Sequence, residues 1–188
     1  MTQKPSPPPS SHKPRPPLLN RLPQDHLIAT LMREHQDIVK LLDRLRTLTE
    51  KLDSLESPQD NPGLLDRLSE VTENLLEVEL HHDREEKILF PALEKQGITD
   101  SPYVLKEEHQ ILRDMKTKFL EALSQSRKKD FPAVKARLGY YGRSIDRLVR
   151  KHIETENTVL FPAALQAIQD ETRWKNLKAE SEKLGKKA

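Results

Sequence analysis

The sequence contains two copies of a histidine–glutamate pair that is suited to binding metal ions. His81 and Glu85 form the first pair, His152 and Glu156 form the second, and each pair is followed by the run Leu-Phe-Pro-Ala. Residues four apart on a helix stack on one face of it. Each pair can therefore reach the same ion, or two adjacent ions.

A second shared feature lies upstream of each pair. Glu34-His35-Gln36 precedes the first pair, and Glu108-His109-Gln110 precedes the second. The chain is therefore predicted to form two helical hairpins, each with one histidine on its first helix and a His-x-x-x-Glu pair on its second. Packed antiparallel, the hairpins would bring four imidazoles and two carboxylates together. The predicted metal ligands are His35, His81, Glu85, His109, His152 and Glu156.

The types of these side chains indicate which metals they would bind. Imidazole and carboxylate suit iron or manganese, and a carboxylate can bridge two ions. Six protein ligands do not saturate two octahedral ions, so positions remain for a bridge or a small molecule. The alternative is that the pairs are ordinary helix-surface contacts. Burying four histidines and two glutamates in a bundle core without a metal would be costly, which favours the metal site.

The register of the first pair is open to two interpretations, because His82 and Glu86 have the same spacing as His81 and Glu85. Apolar periodicity slightly favours the pair formed by His82 and Glu86. The repeat favours His81 and Glu85, since the neighbours in the second copy are isoleucine and asparagine. We adopt the register given by the repeat, which predicts that Glu86→Ala has little effect on metal binding.

The positioning elements are predicted to be four long helices. Leucine-rich periodicity and proline- or glycine-containing breaks place them at about 23–55, 62–95, 102–128 and 131–168. The short connections favour an all-α, antiparallel, up-down-up-down four-helix bundle. The predicted organisation is a disordered proline-rich tail at 1–21, the bundle at 22–168, and a C-terminal helix with a basic tail at 169–188.

The overall composition supports a helical protein and narrows its partners. Charged residues make up 33% of the chain and aromatic residues only 4%, which suits amphipathic helices better than strands. The absence of cysteine excludes disulfides and thiolate ligation of metals. A formal net charge of +2 predicts no nucleic-acid partner. Without a membrane-length apolar run or a signal-peptide core, we expect a cytoplasmic protein with no membrane partner.

These residues and runs resemble the hemerythrin-like (HHE cation-binding) family over about 23–168. Within it, the chain is most similar to the di-iron proteins called repair of iron centres proteins, which act on iron–sulfur clusters. That resemblance implies two iron ions bridged by two glutamates, with manganese as the other compatible metal. It also implies a role in nitrosative or oxidative stress, with nitric oxide, oxygen and iron–sulfur proteins as partners.

The chain departs from its relatives in two respects. Many repair proteins carry a cysteine pair in a short N-terminal domain, where this chain has a proline-rich segment. Oxygen-carrying hemerythrins have a further histidine one turn away on the third helix, where this chain has Leu105 and Arg113 around His109. The sequence therefore keeps a second hypothesis open, in which the protein binds or senses oxygen or iron reversibly without catalytic turnover.

Overall fold

The computed structural model describes residues 19–126 and 130–185, and all regular secondary structure within these ranges is helical. The α-helices are α1 (Leu27–Asp53), α2 (Leu64–Glu77), α3 (Glu79–Arg84), α4 (Phe90–Glu94), α5 (Asp100–Gln125), α6 (Phe131–Thr155), α7 (Phe161–Ala167) and α8 (Glu171–Gly185). Two π-helical segments (Glu85–Leu89 and Glu156–Leu160) and two 3-10 turns (Leu19–Arg21 and Pro58–Asp60) complete them. The prediction of an all-α protein is thus confirmed for the described residues.

Four long helical runs surround the core. Two of them are the single helices α1 and α5; the others are the composite runs 64–94 and 131–167, each interrupted by a π-helical segment. α1 packs against α2 and α6, and α5 packs against the same two helices. Each run therefore has two neighbours, and the four enclose a common interior.

The starts of the helices have different local causes. α6 begins directly after Asp130 with Pro132 in its first turn, as the sequence predicts, although the Asp130 side chain makes no capping hydrogen bond. α1 begins later than the predicted residue 23, because the His26 side chain accepts a hydrogen bond from the Ile28 backbone N–H at 3.1 Å and caps the helix there. α2 follows Gly63, whose φ of 88° lies in the left-handed region that glycine tolerates best.

The apolar core consists of two clusters with a band of polar side chains between them. Along α1, Met32 belongs to one cluster and Ile38 to the other, and His35 lies between them. Along α5, His109 lies in the same way between Leu105 and Leu112. The two clusters therefore hold the central turn of each helix in a fixed position from both ends.

The C-terminal helix closes one end of this core. Trp174 and Leu177 of α8 are buried in the same cluster as Leu31, and the Trp174 indole N–H donates to the Ile168 carbonyl at 2.9 Å. Residues 1–18 of the predicted tail lie outside the described residues. Leu19, at the end of that predicted tail, is buried against the same cluster. No helix in the described part of the chain combines the length and apolar character needed to cross a bilayer.

Candidate metal centre

All six predicted ligands lie in the polar band between the two apolar clusters. His35 and His109 project from the middle of α1 and α5, whereas His81 and His152 each lie one turn before a π-helical segment. Those π segments begin at Glu85 and Glu156. None of the six side chains is more than 4% exposed. The structure thus brings together every residue that the repeat singled out.

The π-helical segments have a local cause in the sequence. The Phe90 N–H bonds to the Glu85 carbonyl and the Phe161 N–H to the Glu156 carbonyl, five residues back rather than four. A proline follows each phenylalanine and lacks the N–H that would continue regular pairing. π-Helical turns within α-helices are frequent at functional sites.

The six side chains form two overlapping groups. His35 and His81 join the two glutamates in one group, and His109 and His152 join the same glutamates in the other. Within each group, one potential ligand atom from every residue lies within 4.8 Å of the others. We call the His35/His81 side the first half of the centre and the His109/His152 side the second half.

Each glutamate faces both halves with different oxygens. Glu85 places Oε1 3.6 Å from His81 Nε2 and Oε2 3.5 Å from His109 Nε2. Glu156 places Oε2 3.0 Å from His35 Nε2 and Oε1 3.0 Å from His152 Nε2. This is the arrangement that two carboxylates need in order to bridge a pair of adjacent cations.

The outer nitrogen of every ligand histidine faces a hydrogen-bond acceptor. The Nδ1 pairs are His35 with Asn157 Oδ1 (3.2 Å), His81 with Glu34 Oε2 (2.9 Å), His109 with Glu86 Oε1 (2.9 Å) and His152 with Glu108 Oε2 (2.7 Å). In a neutral imidazole, such a partner holds the proton on Nδ1 and leaves Nε2 with a lone pair. When all four rings are neutral, their four Nε2 lone pairs are therefore directed into the centre.

The interior atoms repel one another unless a positive charge lies between them. The Nε2 atoms of His35 and His81 are 3.0 Å apart, and those of His109 and His152 are 2.8 Å apart. The four carboxylate oxygens of Glu85 and Glu156 are buried and make no hydrogen bond of good geometry within the described residues. Unpaired buried carboxylates are very costly. Two adjacent cations would satisfy all of these atoms, so the side chains fit a pair of metal ions.

A comparison with known protein families agrees with this geometry. The family model of the hemerythrin HHE cation binding domain matches residues 26–186, which is most of the chain. The chain belongs to the hemerythrin HHE family. A search among curated proteins found no match. The matched range includes α8.

Burial and mutual charge set the protonation of this hemerythrin-like centre before a metal binds. Burial lowers the pKa of His81 to about 4, although Glu34 opposes the shift. Burial also disfavours a charge on His152, but Glu156 and Glu108 outweigh it and raise the pKa of His152 to about 9. Burial, together with the charge of Glu156, raises the pKa of Glu85 well above its usual range. A proton on His152 adds positive charge to the centre, and the raised pKa of Glu85 favours its neutral form. Both effects reduce the net negative charge that a cation would otherwise balance.

The structure places the side chains of the two candidate registers around His81 and His82 differently. Glu86 belongs to neither glutamate-containing group; it accepts the Nδ1 proton of His109 and an Arg113 N–H at 2.7 Å. His82 is buried near the second half, stacked on His109 with ring centroids 3.9 Å apart and planes 16° apart. His82, His109 and His152 also bring one ring nitrogen each within 4.8 Å of one another, but no carboxylate belongs to that group. We therefore keep His81 and Glu85 as the proposed ligands.

The sequence analysis missed four residues that orient the ligands. They are Glu34, Glu86, Glu108 and Asn157, each an acceptor for one ligand histidine. The repeat contains part of the information that could have predicted these residues, because a glutamate precedes the first histidine of both hairpins. That glutamate bonds the histidine of the other helix in its own hairpin. The expectation that Glu86 is dispensable is accordingly revised: its contact with His109 gives it an orienting role.

Proposed function

We propose that this hemerythrin-family protein is a non-haem di-iron protein. Its six ligands would be the four histidines and two glutamates of the centre. The observation that supports this proposal best is that Glu85 and Glu156 each present one oxygen to each histidine pair. An antiparallel up-down-up-down order of the four helical runs is part of the proposal, and the ring of packing partners supports it.

The donor set favours iron, with manganese as the alternative. Imidazole nitrogen and carboxylate oxygen are the donors that both metals accept, and the chain offers no thiolate. A bound iron pair would supply redox and Lewis-acid chemistry at this position. The protein's own residues hold and orient the ions, and the two apolar clusters exclude bulk water from both ends of the centre.

A small cavity beside the centre limits the size of any further ligand. It has a volume of about 10 Å³, space for about one water molecule, and its walls include Leu75, Val149, His82 and Lys116. Most of its other wall residues are aliphatic. Such a cavity admits a diatomic molecule far more easily than a metabolite. We therefore propose oxygen or nitric oxide as the small ligand.

The proposed role is in the cytoplasmic response to nitrosative or oxidative stress. It consists of nitric oxide handling or of repair of damaged clusters in iron–sulfur proteins. A second candidate is reversible oxygen or iron binding without turnover, in a sensing module. The small volume of the cavity supports this second candidate, because exclusion of water slows side reactions of a bound ligand.

Reaction of the reduced, iron-loaded protein with nitric oxide and with oxygen would distinguish the two functions. Sustained consumption of nitric oxide, followed anaerobically with an electrode, would support the stress-response role. A stable oxygen adduct that reverses when oxygen is removed would support the binding module and contradict the catalytic role. Glu156→Gln, which alters a proposed bridge, provides the control for iron bound elsewhere on the protein.

A further inference from the structure

The two halves of the metal centre are related by a repeat that is broken at a single orienting position. Glu34 and Glu108 are equivalent, because each precedes a ligand histidine and bonds the other histidine of its hairpin. Glu86 and Asn157 are equivalent in position, because each follows a bridging glutamate and bonds a histidine of the opposite hairpin. One of this second pair is a carboxylate and the other is a neutral amide.

The surrounding charges do not cancel this difference. In the first half, Glu34 pairs with Arg84, and Asn157 carries no charge. In the second half, the carboxylates of Glu79 and Glu86 are balanced by Arg113 and Lys116, all within one connected network. The remaining carboxylate of the second half is Glu108.

Glu108 differs from these carboxylates in its partners. Among the described residues, no lysine or arginine forms an ion pair with Glu108, which accepts a hydrogen bond from His152 Nδ1 at 2.7 Å. The orienting groups of the second half thus carry one negative charge more than those of the first half. A carboxylate that accepts the Nδ1 proton also makes the imidazole a better metal ligand than an amide does, because it stabilises positive charge on the ring.

We propose that the two ions are inequivalent, and that the second half, His109 and His152, binds its ion first and more tightly. Asn157 is the specificity-determining residue, because it withholds a carboxylate from the first half. This inference rests on the proposed two-metal site. Loss of an orienting partner typically changes metal affinity 10- to 100-fold, so we expect the stepwise affinities to differ by at least about tenfold.

Titration of the metal-free protein with Zn²⁺, followed by calorimetry against a competing chelator, tests this inference without any activity assay. The wild-type protein should bind Zn²⁺ in two steps, whose affinities differ by more than the statistical factor expected for two equal sites. Single-site variants identify the half that fills first. His35→Gln, which impairs the first half, should retain a tighter ion than His109→Gln, which impairs the second.

Two charge variants test the cause of the difference. Asn157→Asp should tighten the weaker ion about tenfold and bring the two steps together, whereas Asn176→Asp, the same change at an exposed position of α8, should not. Glu108→Gln should weaken the tighter ion by a similar factor. Glu107→Gln, its exposed neighbour on α5, should leave both steps unchanged.

The possible failures are distinguishable. Two ions of equal affinity in the wild type, or an Asn157→Asp variant that behaves like Asn176→Asp, would overturn this inference and leave the two-metal proposal intact. Retention of the tighter ion by His109→Gln rather than His35→Gln would overturn the assignment of the halves. Fewer than two bound ions per chain would overturn the proposed two-metal centre together with this inference.

Discussion

Each ligand histidine is held at its outer ring nitrogen, so only its inner nitrogen is free to bind a cation. Glu34 and Glu108 fix two of the rings from within their own hairpins. Glu86 and Asn157 fix the other two from the opposite hairpin. Because every hairpin contributes to orienting the ligands of both halves, the geometry of the centre depends on correct docking of the two hairpins.

The bridging role of Glu85 predicts a large effect from an isosteric change. Glu85→Gln removes one negative charge and one good metal ligand from both halves, so the bound metal should fall from two ions per chain to one or none. Elemental analysis after gel filtration measures this directly. Glu94→Gln, at an exposed position beyond the first π segment, is the matched control. Retention of two ions by Glu85→Gln would contradict its assignment as a bridge.

The register of the first pair is tested by two neighbouring substitutions of the same kind. His81→Gln should lose an ion, because its Nε2 faces His35 and Glu85. His82→Gln should keep both ions, because the His82 ring stacks on His109 and its Nδ1 faces Glu79 at 3.3 Å. Metal content of the two variants purified in parallel decides the question. If His82→Gln empties a site and His81→Gln does not, the register is wrong.

Metal affinity should rise as the pH increases from 6 to 9. The pKa of His152 is raised to about 9, so below that pH a cation must displace a proton from this ring. The raised pKa of Glu85 acts in the same direction. The dependence should level off above the pKa of His152. Zn²⁺ titrations at several pH values provide the measurement. His26→Gln, which removes a histidine outside the centre, should show the same trend, and a pH-independent affinity in the wild type would contradict the account.

The sequence predicted which six side chains would lie together better than it predicted the residues that support them. The ligands repeat at a helical spacing, so two copies reinforced one another. The contact between Asn157 and His35 joins residues on different hairpins and has no local signature. The pairing of Glu86 with His109 is of the same kind. Contacts of this type depend on how the hairpins pack, which spacing along one helix does not encode.

Among the helices, the main departure from the sequence prediction is the interruption of the second and fourth runs. Apolar periodicity predicted continuous helices at 62–95 and 131–168, whereas the structure contains π-helical segments beginning at Glu85 and Glu156. Pro91 and Pro162 lie two residues after the ends of these segments. A π segment changes the helical period over only a few residues. The spacing of leucines along the sequence does not reveal so short a change.

Gly142 of α6 packs closely against α1, since an added Cβ would lie 2.5 Å from the hydroxyl oxygen of Thr49. Thr49 is itself buried and bonded to the Leu45 carbonyl. We therefore expect Gly142→Ala to lower the free energy of unfolding by about 1–3 kcal/mol, the usual range for overpacking. Chemical denaturation followed by circular dichroism measures it.

Gly139 on the same helix is the matched control. A Cβ there would meet only the flexible guanidinium of Arg143, which can move aside. Gly139→Ala should therefore raise the free energy of unfolding by up to about 1 kcal/mol, through the higher helix propensity of alanine. Equal effects of the two substitutions would show that the contact between Gly142 and Thr49 does not limit the packing of α1 against α6.

Across the whole molecule, the metal centre lies between two apolar clusters, and each long helical run passes from one cluster to the other. The centre is thereby separated from bulk solvent at both ends, and the small cavity lined by His82 and Lys116 adjoins it. The all-α class could be predicted from composition and periodicity. The position of α8 could not, because its contacts to the core through Trp174 and Leu177 are distant in sequence from most of their partners.

The central claim is that one chain binds two iron ions through the four histidines and two glutamates. The most direct test is elemental analysis, with an optical spectrum, of protein purified from iron-supplemented cells. We expect about two irons per chain, in line with the two ligand groups, and an absorption band of a bridged iron pair in the near ultraviolet. Protein that contains no iron, and takes up none on anaerobic reconstitution, would contradict the account.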